Sequence, residues 1–394
     1  MEVMSIFETT PSRQDSGLIK WDLAAKVAAK TVTAGPTPPA RAVQEAVASM
    51  RHYAEVSVDH VHQISGLEAA RDLRDAPVVV VDRAGWSTAN AATFKALLEP
   101  AMEGLATKYQ QRASGKANNE LTQWIGSRAT AVETGVILGF LSTKVLGQYD
   151  PYAGLVSEDA ERRHPGGRLM IVAPNVMEVE QELNVDPDDF RLWVCLHEQT
   201  HRVQFAAAPW LRDHMAATIH ELSTSMTGDL DQMKTRLSRV ATAVADELPA
   251  KVAGKLTGRA VPQAGDDLLG PMSAVLAPRE RELMSNAVAT MSLLEGHANW
   301  VMDNVDSTVV SSVKTIRRRF DRRRDLQTPG QRILRKVLGL DAKAEQYVQG
   351  QKFVTEVIEI AGRDGFNRVW ESAENLPVAR EIRHPQEWVD RVLA

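Results

Sequence analysis

The sequence predicts a mainly α-helical protein carrying a few short strands. Apolar residues recur at the 3.6-residue spacing of amphipathic helices through most of the chain. The clearest extended runs, Val78–Val81 and Arg168–Asn175, are only a few residues long. Proline and glycine fall mainly between the periodic segments, where they act as breakers. The 394 residues are 44% hydrophobic and 25% charged, the balance of a globular protein with a sizeable core.

Taken in order, residues 1–17 are polar and aperiodic and read as a flexible tail. WDLAAKVAAKTV from Trp21 is amphipathic, GPTPPA breaks it, and a second helical pattern runs from Ala40 to about Leu67. The four valines Val78–Val81 predict a strand closed by Gly85, followed by a helix from near Ser87 through Tyr109. A further helix over about Asn119–Val145 is apolar on several sides and is expected to be buried. Tyr149–Gly167 reads as irregular, Arg168–Asn175 as a strand, and Met177–Leu183 as a turn or two of helix. Asp186-Pro187 is a helix start, with Asp as N-cap and Pro at the first helical position. The helix that follows, Asp188–Ala208, ends at Pro209, and another begins near Trp210. Gly254–Pro271 reads as a long loop, Arg279–Asp303 as a helix, and the remainder as mostly helical up to a polar, proline-containing stretch after Asn375. The expected organisation is one domain over 18–394, with two lobes divided near 165/166.

Net charge is −5, so no strongly basic surface points to nucleic acid. The longest apolar stretch, near Thr134–Leu141, is too short for a membrane span. Cys195 is the single cysteine, and the N-terminus lacks the basic start and apolar core of a secretory signal. A cytoplasmic protein is expected, with no nucleic-acid or membrane partner.

The chemistry lies in HEQTH, His197–His201. Two histidines four apart stand one helical turn apart on one face, so two nitrogens can meet one Zn2+ ion. Glu198 flanks that face, suited to taking a proton from water rather than to binding metal. Leu192, Leu196, Val203 and Phe205 give the same helix apolar surface to bury.

A catalytic zinc needs a third protein ligand and an open position. SLLEGHANW supplies Glu295 and His297 on an apolar helix, where ionisable groups are costly unless paired or metal-bound. The two point about 200° apart on a regular helix, so one of them is the ligand. Glu295 is favoured, since gluzincins supply a carboxylate third ligand from an E-G-x-A helix. His297 is then a hydrogen-bonding or oxyanion-binding group, or the ligand itself if the helix is turned. Tyr347 is a further candidate donor to an oxyanion. The strand at Arg168–Asn175 is a candidate edge strand for substrate backbone.

LHEQTHRVQF, SLLEGHANWVMD, VVVVDRAGWSTAN, QYVQGQKFV and LPVAREIRHPQEWVDRV together resemble an actinobacterial family of zincin-like, zinc-dependent metallopeptidases, also described as coenzyme F420 biosynthesis-associated proteins. The resemblance runs from about Trp21 to the C-terminus. It implies a mostly helical zincin-like fold, His197 and His201 as zinc ligands with Glu295 as the third and His297 as its alternative, and Glu198 as base. The zinc chemistry itself makes a peptide or small amide the expected substrate. A non-catalytic, zinc-stabilised scaffold that binds a protein partner is the alternative.

Cys195 and Trp193 read as core residues, and His214 and His220 as surface groups. The six arginines Arg317–Arg319 and Arg322–Arg324 read as a solvated helix face paired with acids, or as a surface for an anionic ligand.

Overall fold

A computed structural model describes residues 18–113, 119–156, 166–227, 276–325 and 340–394. The tail at 1–17 and the loop expected at Gly254–Pro271 lie outside them. The described residues form thirteen α-helices and one three-stranded sheet. No helix among them is long and apolar enough to cross a membrane. They divide into two compact units, one from Met1–His220 and Ala298–Asp325, the other from Glu221–His297 and Leu326–Ala394.

In the first unit, α1 (Trp21–Thr31) lies on α3 (Arg83–Ala113) and α4 (Asn119–Ser142). It buries Trp21, Ala24 and Ala28, and the Trp21 indole donates to buried Glu99 at 3.1 Å. The α3 helix starts four residues before the expected cap at Ser87. Asp82 does the capping, its carboxylate accepting from the Gly85 amide at 2.6 Å, while buried Ser87 sits inside the first turns and donates to the Arg83 carbonyl. Helix α4 is not buried all round, because Val132, Val136 and Ile137 are exposed.

Strands β1 (Val78–Val81), β2 (Gly147–Asp150) and β3 (Arg168–Val172) are arranged in the order β1-β3-β2. The β1–β3 pair is parallel, with Val80 opposite Ile171, and β2–β3 is antiparallel, with Gln148 opposite Met170. The strand expected at an edge is therefore the central one. The edge beside the HEQTH helix is β2, whose Tyr149 and Asp150 fall in the stretch read from sequence as irregular; after it comes the one-turn helix α5 (Ala153–Val156). GQYD lacks the β-branched residues that mark a strand. Its pairing is set by nonlocal contacts: Tyr149 donates to the Gly166 carbonyl at 2.6 Å, and buried Asp150 accepts from Thr93 and Arg168. Burial pushes the Tyr149 hydroxyl up to about 12. Met170 and Val172 meet Trp86, Ala91, Leu138 and Ala28 in the core.

Helix α6 (Ala173–Leu183) follows β3 directly, with Pro174 in its first turn. Asn175 donates to the Ser142 and Val145 carbonyls, and nearly fully buried Arg83 bonds Asn175, Thr33 and Glu178. These bonds satisfy a buried guanidinium and fix α6 against the start of α3.

In the second unit, α11 (Leu340–Asn367), broken at Gly362, packs against α12 (Ala379–Arg383) and α13 (Pro385–Val392). Fully buried Trp388 stacks edge-on to Phe353 and donates to the Asn375 carbonyl at 2.7 Å. Thus the polar stretch after Asn375 is folded, not a loose end.

Candidate metal centre

Helix α7 (Pro187–Ala207) begins as its sequence dictates: the Asp186 carboxylate accepts from the Asp188 and Asp189 amides at 3.0 Å each. Its back is held by α2 (Ala40–Ser65), whose Met50, Ala54, Val58 and Val61 form a buried stripe. Gln199 donates to the Ala54 carbonyl, and Arg202, 2% exposed, makes two bonds to Asp75 at 2.7 and 2.8 Å. With that face committed to packing, His197 and His201 occupy half-buried positions of an otherwise mostly buried helix.

The His197 and His201 Nε2 atoms approach to 3.1 Å, with ring planes at 90°. Two nitrogens on one tetrahedral zinc, with Zn–N bonds of roughly 2.0–2.1 Å, stand about 3.3 Å apart. The His201 Nδ1 lies 3.0 Å from Oε1 of buried Gln204, so a proton on Nδ1 leaves Nε2 as a lone-pair donor. The His197 Nδ1 faces the Met302 sulfur at 3.1 Å.

Glu295 lies on α9 (Pro278–Asp303), along which the division between the two units falls. One ligand atom from each of His197, His201 and Glu295 lies within 4.8 Å of the others, and all three residues are half-buried. Two imidazoles and a carboxylate suit zinc, and no fourth histidine, cysteine or acid joins the group among the described residues.

Three consecutive residues of α9 fan out about 100° apart. At Gly296 an added Cβ would lie 2.2 Å from the Gly350 carbonyl carbon of α11, so the two helices meet backbone to backbone. His297, 1% exposed, turns the other way and packs on Phe366 and Trp370, with ring centroids 5.3 and 5.4 Å apart. The geometry thus groups Glu295, and not His297, with the two histidines. Tyr347 falls on α11, and its side chain lies outside the described residues.

Glu198, 6% exposed, sits against β2, where a Cβ at Gly147 would come within 2.6 Å of the Glu198 Cγ. Glycine is what lets this strand approach the acid so closely. Sequence reading missed Gln204, Met302, Gly147 and Gly350. Two of them carried a signal: Gln204 is one turn beyond His201, and Met302 is two turns beyond Glu295, on the same helix face.

The other weighed residues lie outside the group of three ligand atoms. Cys195 is fully buried, and burial raises its thiol far above the ordinary range. Trp193, 2% exposed, stacks on Phe190 and meets Phe320 edge-on. His214 is exposed beside Trp210, and His220 is half-buried. Of the six arginines, Arg317 pairs with Asp303, Arg323 with Glu182, and Arg319 bonds the Leu183 and Asn184 carbonyls at the end of α6. The Arg324 side chain lies outside the described residues.

Two histidines one turn apart and a glutamate from a later helix are the donor set of a zincin. The chain belongs to the zincin-like metallopeptidase family, whose sequence model matches residues 19–389. It is similar to a crystal structure from Chloroflexus aurantiacus described as a candidate hydrolase with a novel fold. That likeness has 27% identity and a TM-score of 0.59, covering 95% of this chain and 98% of the other. No curated protein of known function matches the chain.

Proposed function

We propose that this protein is a zinc-dependent hydrolase that cleaves a peptide or small amide, with Zn2+ held by His197, His201 and Glu295. The observation that carries the reading is the grouping of those three half-buried ligand atoms within 4.8 Å, two of them on the helix that also bears Glu198 and the third on α9. Family membership and the likeness to a candidate hydrolase support the same class. Three protein ligands leave room for water and a substrate carbonyl, as a catalytic site requires and a closed structural site does not.

Zinc, when bound, supplies Lewis acidity that makes water a better nucleophile and a carbonyl a better electrophile. Glu198 accepts the proton of the attacking water on a carboxylate oxygen and later delivers it to the leaving nitrogen. Its burial against Gly147 limits the rotamers it can adopt, which holds the carboxylate in place for both transfers. The strand β2 pairs only with β3 among the described residues, so its other edge is where an extended substrate would add as a strand. Gln204 keeps the His201 ring in the tautomer whose Nε2 can ligate.

The test is metal content followed by cleavage of a peptide library, for the natural protein and for Glu198→Gln. Expected are one zinc per chain in both, with cleavage in the natural protein and a loss of at least about a thousandfold in the variant. Unchanged cleavage with zinc retained rejects Glu198 as base. Stoichiometric zinc with no cleavage by the natural protein rejects the hydrolase in favour of a zinc-stabilised scaffold.

A further inference from the structure

The segment after α9 borders an open, solvent-facing cavity of about 510 Å³, lined by Asp303, Val305, Ser307, Val313, Lys314, Arg317 and Arg318. Its cationic wall is one face of α10 (Val313–Asp325), because positions 314, 317 and 318 are spaced i, i+3 and i+4. Arg317 is already employed: it pairs with Asp303 at 2.7 Å, bonds Asn299, and lies over the Trp193 ring at 5.3 Å. Lys314 and Arg318 are exposed and make no ion pair among the described residues. Like charges at i and i+4 repel each other, so this wall holds unspent positive potential. With one acid against three cations, the cavity is net positive while the whole chain is net negative. Val305 and Val313 add an apolar wall.

We propose that this cavity is a binding site for an organic anion, a carboxylate or phosphate carried on a small apolar body. The anion is held by Lys314 and Arg318, with Arg317, whose nitrogens donate to Asp303 and Asn299, adding its charge to the wall, and the apolar body lies against Val305 and Val313. Arg317 is fixed by Asp303, Asn299 and Trp193, so it is pre-oriented and loses little freedom on binding. None of the cavity residues is a proposed metal ligand, so the site stands or falls independently of the hydrolase reading.

The test is calorimetric titration of the zinc-loaded, full-length protein with N-acetyl-leucine, its neutral amide, and phenyl phosphate. The comparison is Lys314→Gln/Arg318→Gln, two exposed changes compatible with folding, with zinc content measured in both proteins. Expected is binding of at least one anion, at least tenfold weaker binding of the amide, and at least a tenfold loss for that anion in the double variant with zinc unchanged. The better of the two acids identifies carboxylate or phosphate as the ligand chemistry. Equal affinity for acid and amide, an unaltered double variant, or no binding of either anion at 10-millimolar order overturns the proposal.

Discussion

Gly296→Ala tests how the proposed third ligand, Glu295, is aimed. The added methyl would lie 2.2 Å from the Gly350 carbonyl carbon, 2.4 Å from its oxygen and 2.6 Å from the Gln351 nitrogen. Comfortable carbon contacts begin near 3.5 Å, so α9 and α11 must part by roughly 1.3 Å or break their geometry locally. Backbone atoms cannot rotate aside as a side chain would, which puts the strain near the upper end of the ~1–3 kcal/mol usual for overpacking. Alanine recovers up to about 1 kcal/mol of helix propensity over glycine. The net loss is then about 2 kcal/mol, roughly thirtyfold in the folding constant. Glu295 is the adjacent residue, and metal bonds tolerate only about 0.2 Å of displacement, so zinc affinity should also fall at least tenfold. Gly104→Ala is the control: it is a helical glycine of α3 with nothing within 4 Å of the built Cβ, and it should stabilise by about 0.5–1 kcal/mol. The assays are denaturant unfolding and zinc competition against a chromophoric chelator. Refutation would be a Gly296→Ala protein as stable as the Gly104→Ala control with zinc affinity unchanged.

Further outcomes follow from the same geometry. His197→Ala and His201→Ala should each reduce zinc to well below one per chain on metal analysis, whereas His297→Phe should keep it, since that ring packs among aromatics. Gly147→Ala places a methyl 2.6–2.9 Å from Glu198 and should lower kcat by tenfold or more with zinc content unchanged; an unaltered kcat removes the positioning role given to that strand. Asp186→Ala removes the cap of α7 and should cost about 1 kcal/mol in unfolding experiments. Burial acts to raise the Asp189 carboxyl, but hydrogen bonds from Ser312 and Ser311 outweigh it and hold the group below its ordinary value. A depressed carboxyl contributes stability that is present above its unfolded value near 3.9 and lost as pH falls through the lower folded one. Asp189→Asn should therefore flatten the profile of Tm against pH between about 5 and 2.

What could be read from the sequence was what local chemistry decides. Asp186-Pro187 fixes the start of α7 because cap and first-turn preferences act within three residues, and HEQTH places two rings on one face because helix periodicity needs nothing else. Val78–Val81 reads as a strand on β-branching alone. The β2 strand did not, because GQYD is specified by what it touches: Asn90 through Gln148, Gly166 through Tyr149, Thr93 and Arg168 through Asp150. Asp82 competed with Ser87 for the cap of α3, and the sequence offered no way to see that Ser87 would be buried inside the first turns.

The choice between Glu295 and His297 shows the limit most sharply. Periodicity says that they diverge, yet the direction in which each points depends on the rotation of α9 about its axis. That rotation is set by a contact more than fifty residues away, where the bare backbones at Gly296 and Gly350 meet. Once that face is fixed, His297 turns into Phe366 and Trp370, and Glu295 turns to the side where the two Nε2 atoms stand 3.1 Å apart. A residue without a side chain thereby aims the proposed third ligand, and the same pair of glycines explains why the motif reads E-G-H here rather than with any larger residue at its centre.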